Sequence, residues 1–372
     1  MSDSEQSIAA LRGRLTAVDR QLLALVRERQ QLVEEIGKSK RVGGTPTRDF
    51  VREKEVVEGA KAEADRLGLP AGMAESLMGL LIRSSLTTQE QARVAAEGSG
   101  DGRTALVIGG AGRIGRWFCD FLSSQGYDVV VADPGAVQDR YEQVRNWQET
   151  DLEHDLVIVA APLRISATIL EELASRRPPG LIFDVGSLKT PLAGGLRKLA
   201  EAGCRVTSIH PMFGPDTRLL SGRHVIFVDV GCQEATDAAM ALFEPTMAER
   251  VSMELQAHDR LIAYVLGLSH ALNIAFFTAL AESGEDVPHL AGISSTTFDN
   301  QLAVSSCVAE ENPWLYFEIQ ALNDYGLQPL EALEKSVTEL VSAIRSGDGD
   351  RFVDIMRKGR AYLAKRQGVE TG

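Results

Sequence analysis

Apolar positions over roughly the first ninety residues recur at alternating intervals of three and four: Leu11, Leu15, Val18, Leu22 and Leu25, then Leu32 and Ile36. That spacing predicts one helix from about Ser4 to Arg41, roughly 55 Å long at ~1.5 Å per residue and longer than a compact domain of this size is wide. Such a helix needs a partner, and a second copy of itself supplies one. A second helix is expected after Asp49, a good N-cap, with Arg52 and Glu53 one turn on and Glu53 on the Asp49 face. A third carries Leu77, Leu81, Ser85 and Gln89 at intervals of four, so its stripe turns polar toward the C-terminal end. Two cations break the first stripe: Arg29 stands where an apolar residue is due between Leu25 and Leu32, and Lys40 lies one turn after Ile36. A buried charge is costly unless paired, so the residues alone leave either snorkelling cations at a bundle edge or groups kept for chemistry.

The pattern changes past a polar stretch, Ala96 to Gly102, whose glycines mark a boundary. Short apolar runs now alternate with helical ones: Ala105–Ile108, Asp128–Val131, Leu156–Val159, Leu181–Asp184, Val206–Ile209 and Val225–Val228. Continuous apolar runs belong to strands covered on both faces by helices, which predicts a doubly wound α/β domain with a parallel sheet. After about Cys232 the strand signal stops and the remainder reads as helix. The expected organisation is an all-α three-helix domain over 1–92, a linker over 93–102, an α/β domain over 103–231 and an all-α domain over 232–372.

The first strand runs into Gly110-Ala111-Gly112-Arg113-Ile114-Gly115, opens an amphipathic helix, and is followed by a strand ending at Asp133. In that context a GxGxxG sequence marks a Rossmann dinucleotide site. Gly110 is expected to allow the tight turn, Gly112 the approach of a pyrophosphate, and Gly115 the packing of helix on strand. The helix N-terminus then offers free N–H groups to phosphate. Asp133 would accept from a ribose diol, favouring NAD, while Arg113 and Arg116 leave NADP open. The expected cofactor contacts are Gly110, Gly112, Arg113, Ile114, Gly115 and Asp133.

Composition narrows the partners. The 372 residues call for two or three domains, and 44% hydrophobic with 24% charged residues suits a folded globular protein. A net charge of -13 argues against nucleic acid and anionic membranes, so an anionic substrate must meet local cationic pockets. Cys119, Cys204, Cys232 and Cys307 are isolated, which predicts neither a metal site nor a disulfide framework. The polar start MSDSEQS reads as no signal peptide, and the apolar stretch from Leu261 to Leu280 contains Ser269, His270 and Asn273 and reads as a buried helix. The expected location is cytoplasmic. Strand ends in a parallel sheet open on the nucleotide crevice, so Ser187, Lys189 and His210 are expected to converge there. A neutral imidazole near its unperturbed pKa suits a general base.

Residues 8 to 92 resemble the all-helical chorismate mutases, intertwined dimers of three-helix chains. The motif positions fall on Arg12, Arg29, Lys40, Asp49, Arg52, Glu53, Ser85 and Gln89, each of the expected type. The resemblance implies that Arg12 reaches across from the partner chain, Arg29 and Arg52 hold or support the substrate carboxylates, and Lys40 with Gln89 meets the ether oxygen. Glu53 would take the ring hydroxyl. The rearrangement of chorismate to prephenate needs no nucleophile, only a held conformation and stabilised charge.

Residues 103 to about 365 are similar to the prephenate dehydrogenases, through Ser187-Leu188-Lys189 and His210-Pro211-Met212-Phe213-Gly214-Pro215. Mutase before dehydrogenase is the order of the fused bacterial enzymes. The resemblance implies that His210 accepts the ring-hydroxyl proton, that Ser187 orients the hydroxyl with Lys189 nearby, and that the C-terminal helices make a homodimer and complete the substrate site. His270 falls where fused members carry a histidine tied to tyrosine feedback, although a packed helix histidine fits as well. One position departs: Asp299 stands where the family has an arginine that holds a substrate carboxylate. Lys189 or Arg260 would have to substitute, or the substrate differs. The open alternatives are 4-amino-4-deoxyprephenate, whose ammonium suits Asp299, arogenate, whose amine suits Asp216, and a catalytically silent tyrosine sensor.

Overall fold

The structure, a computed structural model, describes residues 3–135 and 140–367, and it divides into two compact units. The first comprises residues up to Gly186 together with Gly194–Met253, and the second comprises Ser187–Ala193 together with the chain from Glu254. Met1 and Ser2 of the polar start lie outside the described residues.

The first unit opens with α1 (Asp3–Val42), α2 (Phe50–Arg66) and α3 (Ala71–Glu97). Asp49 caps α2 as expected, its carboxylate accepting from the Arg52 N–H at 3.0 Å. The apolar stripe of α1 is left in the open: Leu11, Leu15, Val18, Leu22, Leu25, Leu32 and Ile36 each keep about half or more of their surface exposed, and among the described apolar side chains of this helix Val33 is the one that is buried. Chain-internal packing thus leaves most of this helix without an apolar partner.

The sheet follows: β1 (Thr104–Ile108), α4 (Arg113–Ser124), β2 (Asp128–Ala132), β3 (Glu142–Val144), β4 (Leu156–Val159), α5 (Leu163–Arg176), β5 (Leu181–Asp184), α6 (Ala193–Glu201), β6 (Val206–Pro211), β7 (His224–Asp229), α7 (Gln233–Ala241) and β8 (Glu249–Glu254). The strand order is β3-β2-β1-β4-β5-β6-β7-β8. Pairing is parallel from β3 through β6. The doubly wound expectation holds over that part, and β7 departs from it by running antiparallel to β6, with His210 opposite Ile226. Phe118 and Phe121 of α4 pack with Phe183, Phe227 and Phe243 into an aromatic core under the sheet.

Two strands escaped the sequence reading, and both are polar edge strands. β3 is only three residues long, and β8 reads Glu-Arg-Val-Ser-Met-Glu, so neither shows a continuous apolar run. The α/β layer therefore continues past Cys232, through α7 and β8.

The polar stretch after α3 is a packed joint. Gly100 and Gly102 donate to Gln125 O and Gly126 O at 2.9 and 3.0 Å. A Cβ on Gly98 would lie 2.5 Å from Gln125 Cα, and one on Gly100 would lie 2.3 Å from Gly126 C. The glycines here serve close approach of two backbones.

The second unit is helical: α8 (Leu255–Ile262) continues through a π turn (Ala263–Leu268) into α9 (Ser269–Glu282), followed by α10 (Val287–Gly292), α11 (Thr296–Ala309), α12 (Pro313–Ala321), α13 (Leu327–Ser346) and α14 (Gly349–Gln367). The helix from Leu255 to Glu282 is long and apolar enough to cross a membrane by length and composition. The buried helix expected for 261–280 is not what the fold shows, since Leu261, Tyr264, Val265 and Leu272 stay about half exposed. The chain supplies too few neighbours to cover all sides of this helix.

Candidate functional site

The mutase positions gather where α1 meets α3. Arg29 Nη1 donates to Leu81 O at 3.1 Å and to the Ser85 hydroxyl, and Gln89 Nε2 donates to Val33 O at 3.3 Å. Ser85 and Gln89 are buried, and partial burial lowers the pKa of Arg29. The charge that breaks the stripe of α1 thus meets the polar half of α3. Lys40 Nζ donates to Thr47 O at 2.8 Å and lines a cavity of about 450 Å³ with Leu32, Ile36, Ser39 and Thr45. Glu53 accepts both prongs of Arg48 at 2.9 and 3.0 Å.

Two expected members stand apart. Arg52 is exposed and pairs with Glu55 at 3.0 Å. Arg12 lies 28 residues before Lys40 on the same helix, about 42 Å away at ~1.5 Å per residue, so no single chain brings the two together.

The nucleotide turn is built by glycines pressed against backbone. The tight turn, expected at Gly110, falls on Gly109, whose φ of 86° is left-handed and whose Cβ would lie 2.7 Å from Ala160 O. Gly110 instead makes room for β2, since its Cβ would sit 2.6 Å from Val131 Cγ1. Gly115 packs as expected: a Cβ there would stand 2.2 Å from Gly109 O. A Cβ on Gly112 would meet only Gly109 O, at 3.2 Å, so the face over the start of α4 stays open to a phosphate. Asp133 follows β2, and its Oδ2 and Oδ1 accept from the N–H groups of Ala111 and Gly135 at 3.1 and 2.7 Å. Arg113, at the first turn of α4 beside Ile114, pairs with Asp216 at 2.9 Å. These residues fit a dinucleotide: backbone donors for the pyrophosphate, with a carboxylate at the end of the second strand for the ribose.

His210 lies within β6 and is 4% exposed. Two residues earlier on the same face, Ser208 donates its hydroxyl to Asp184 Oδ2, and Asp184 Oδ1 accepts from the Gly186 N–H at 2.8 Å. Asp184 and Ser208 are fully buried. Neither belongs to the expected site, although a carboxylate closing the run Leu-Ile-Phe-Asp was a readable signal.

A cavity of about 720 Å³ lies between α3, α4 and the loop after β6. Glu90, Arg113, Arg116, Trp117, Asp216 and Arg218 contribute to its lining, and His210 does not. Both oxygens of the buried Glu90 are occupied, by the N–H groups of Leu220 and Met247 at 2.7 Å each. Burial raises the Glu90 pKa and these two donors oppose the rise.

Ser187 and Lys189 belong to the segment Ser187–Ala193 of the second unit. Ser187 is half-buried, and Lys189 is 0% exposed. The Lys189 N–H donates to both oxygens of Asp259 at 2.8 and 3.0 Å, and His258 Nδ1 lies 2.6 Å from the same carboxylate. Burial pushes the Asp259 pKa up, but His258, Thr190 and Lys189 outweigh it and the net shift is downward. Lys189 is thus buried, whereas Arg260 is exposed on α8. His270, half-buried on α9, lies with its ring centroid 4.1 Å from that of Tyr316, and burial lowers its pKa. Asp299 occupies the exposed first turn of α11 and accepts from the Ser294 hydroxyl.

Residues 11–90 match the chorismate mutase type II family, 129–251 the nucleotide-binding domain of prephenate dehydrogenase, and 254–358 its dimerization domain. The T-protein of Enterobacter agglomerans is 25% identical over 371 residues, 98% of this chain and 96% of that protein. The 4-amino-4-deoxyprephenate dehydrogenase of Streptomyces pristinaespiralis is 30% identical over 271 residues, 70% of this chain and 91% of that protein. In fold, the prephenate dehydrogenase from A. aeolicus, solved with hydroxyphenyl propionate and NAD+, superposes with a TM-score of 0.57 at 19% identity, covering 72% of this chain and 98% of that one. The chain belongs to the prephenate dehydrogenase family and carries a chorismate mutase domain of type II ahead of the dehydrogenase.

Proposed function

We propose that the protein rearranges chorismate to prephenate and then oxidatively decarboxylates prephenate to 4-hydroxyphenylpyruvate, in tyrosine biosynthesis. The observation that carries this reading is the presence, in one chain, of matches to the mutase family and to both dehydrogenase domains, with the glycine turn and Asp133 built for a dinucleotide. The T-proteins of two bacteria match over nearly all of this chain.

In the mutase, Arg29 and Arg52 grip the carboxylates of chorismate, Lys40 and Gln89 meet the ether oxygen, Glu53 accepts the ring hydroxyl, Ser85 holds the Arg29 guanidinium, and Asp49 caps the helix that carries Arg52. Arg12 comes from a second copy, paired along the exposed stripe of α1. The C-terminal helices cover their own apolar faces in the same homodimer, through the domain whose family description is dimerization. In the dehydrogenase, NAD supplies the hydride acceptor when bound, held by Gly110, Gly112, Arg113, Ile114, Gly115 and Asp133. His210 takes the ring-hydroxyl proton, the Asp184–Ser208 pair fixes the strand ends beside it, and Ser187 orients the hydroxyl. Breaking the bond to the ring carboxylate makes the ring aromatic. Tyrosine feedback is placed at His270, and the location is cytoplasmic.

The test is His210→Asn in the full chain. NADH formation from prephenate should fall by about 10²- to 10⁴-fold while chorismate consumption stays at the parent rate, and parent-like oxidation would sink the assignment. Asp299, standing where the resemblance calls for an arginine that holds a substrate carboxylate, is the position at which choice between prephenate and 4-amino-4-deoxyprephenate is tested. If Asp299 sets that choice, Asp299→Arg raises the ratio of prephenate to amino-analogue turnover, and an unchanged ratio removes it.

A further inference from the structure

Arg48 lies in the turn between α1 and α2, and its guanidinium is divided between two partners. Nε and Nη2 donate to the two oxygens of Glu53 at 2.9 and 3.0 Å, while Nη1 donates to Ser221 Oγ at 2.7 Å. The same group lies over the Phe50 ring, 4.2 Å from its centroid. Glu53 belongs to the mutase helices. Ser221 belongs to the loop 212–223, which leaves β6 just after His210 and returns as β7. That loop is held at further points: the Leu220 N–H donates to Glu90 on α3 at 2.7 Å, Trp117 Nε1 donates to Thr217 O at 2.9 Å, and Asp216 pairs with Arg113 at 2.9 Å.

A two-pronged guanidinium fork fixes a carboxylate relative to the guanidinium, but the guanidinium itself rides on a long side chain with several rotamers. The third bond, to Ser221, removes that freedom. Its anchor does not drift, because the neighbouring Leu220 is tied to a buried carboxylate on the helix that also carries Gln89.

We propose that Ser221 positions the Glu53 carboxylate of the mutase site through Arg48, so that the mutase depends on a loop of the dehydrogenase half. Arg48 and Ser221 are positioning residues: they set the orientation in which Glu53 meets the ring hydroxyl of chorismate. The inference rests on the placement of Glu53 in the mutase site.

The experiment measures mutase rates in the full chain with chorismate and with an analogue lacking the ring hydroxyl, in Ser221→Ala, Ser221→Thr, Arg48→Ala, the Ser221→Ala/Arg48→Ala double variant and Glu53→Gln. Ser221→Ala should lower kcat/KM for chorismate by about three- to ten-fold, the reach of one lost hydrogen bond of ordinary net strength, and Ser221→Thr should restore it. The penalty should vanish in the Arg48→Ala background, since the two residues act in series. It should also vanish with the deoxy analogue, which gives Glu53 no hydroxyl to meet. A parent-like rate in Ser221→Ala beside an impaired Glu53→Gln overturns the proposal. So does a penalty of equal size with the deoxy analogue, which marks general loosening of the helices, or an equal loss of prephenate oxidation. A parent-like rate in Glu53→Gln overturns instead the placement of Glu53 on which the inference rests.

Discussion

Adding one methyl group to the nucleotide turn separates its two tasks. In Gly115→Ala the new Cβ stands 2.2 Å from Gly109 O, 2.8 Å from Gly110 Cα and 3.0 Å from Gly109 C, all of them backbone. Ordinary contact needs about 3.4 Å, so the turn must retreat by about 1 Å. Gly109 O accepts from the Gly112 N–H at 3.1 Å, and that bond does not survive such a shift. One lost hydrogen bond at about 1 kcal/mol, with about 1–3 kcal/mol of overpacking between α4 and β1, predicts a destabilisation of roughly 2–4 kcal/mol. Losing one donor to the charged pyrophosphate, at about 1.5–3 kcal/mol, costs on the order of 10- to 10²-fold in affinity. The control is Gly112→Ala, whose Cβ meets only Gly109 O at 3.2 Å and otherwise fills the open side of the turn. It should weaken NAD to a similar degree with little loss of stability. Calorimetric titration with NAD and urea unfolding followed by Trp117 fluorescence read the two effects, and mutase activity should persist in both variants. Parent-like NAD affinity in Gly115→Ala would refute the steric reasoning. Equal destabilisation in the two variants would refute the division of tasks.

Two further outcomes follow from the fold. Because Arg12 and Lys40 are on one helix about 42 Å apart, Arg12→Ala and Lys40→Ala should each abolish mutase activity, and unfolding and refolding them together should restore about a quarter of the parent rate through mixed dimers. No recovery, with mixed dimers shown by sedimentation, would place Arg12 outside the site. Asp259 has a folded pKa below its unfolded value, so its stabilisation is complete above the unfolded pKa of about 4 and is lost as pH falls through the lower folded value. Asp259→Asn should therefore lower the urea midpoint at pH 7, with the gap to the parent narrowing toward pH 3; a gap independent of pH would show that the charge is not what stabilises the segment.

What the sequence disclosed depended on how far apart the partners lie along the chain. Asp49 was legible as a cap because the N–H it accepts is three residues on, and Arg29 and Lys40 were legible because each breaks a local period. The glycine turn was legible as a unit, yet its tight φ was assigned to Gly110 when Gly109 carries it. That difference depends on Ala160, the residue after β4, which crowds Gly109 from 51 residues away in sequence. β3 and β8 were hidden because edge strands are solvated and carry no apolar run. Arg48, Glu90 and Ser221 were hidden for a stronger reason: the Arg48–Ser221 bond spans 173 residues, and neither residue disturbs any pattern near itself. The tie between the Lys189 N–H and Asp259 was hidden in the same way, since it spans seventy residues.

The joint at Gly98 and Gly100 bears on how such a gene can change. A tether of ordinary length lets either partner be exchanged for a cousin, since nothing but a peptide bond connects them. Here the backbone of the joint rests on that of the turn at Gln125 and Gly126, inside the other partner. Recombination that imported a foreign mutase would have to bring a turn to match it, and a cut after Glu97 would uncover Val94 together with the underside of α4. The two catalysts are therefore expected to be inherited and lost as a pair.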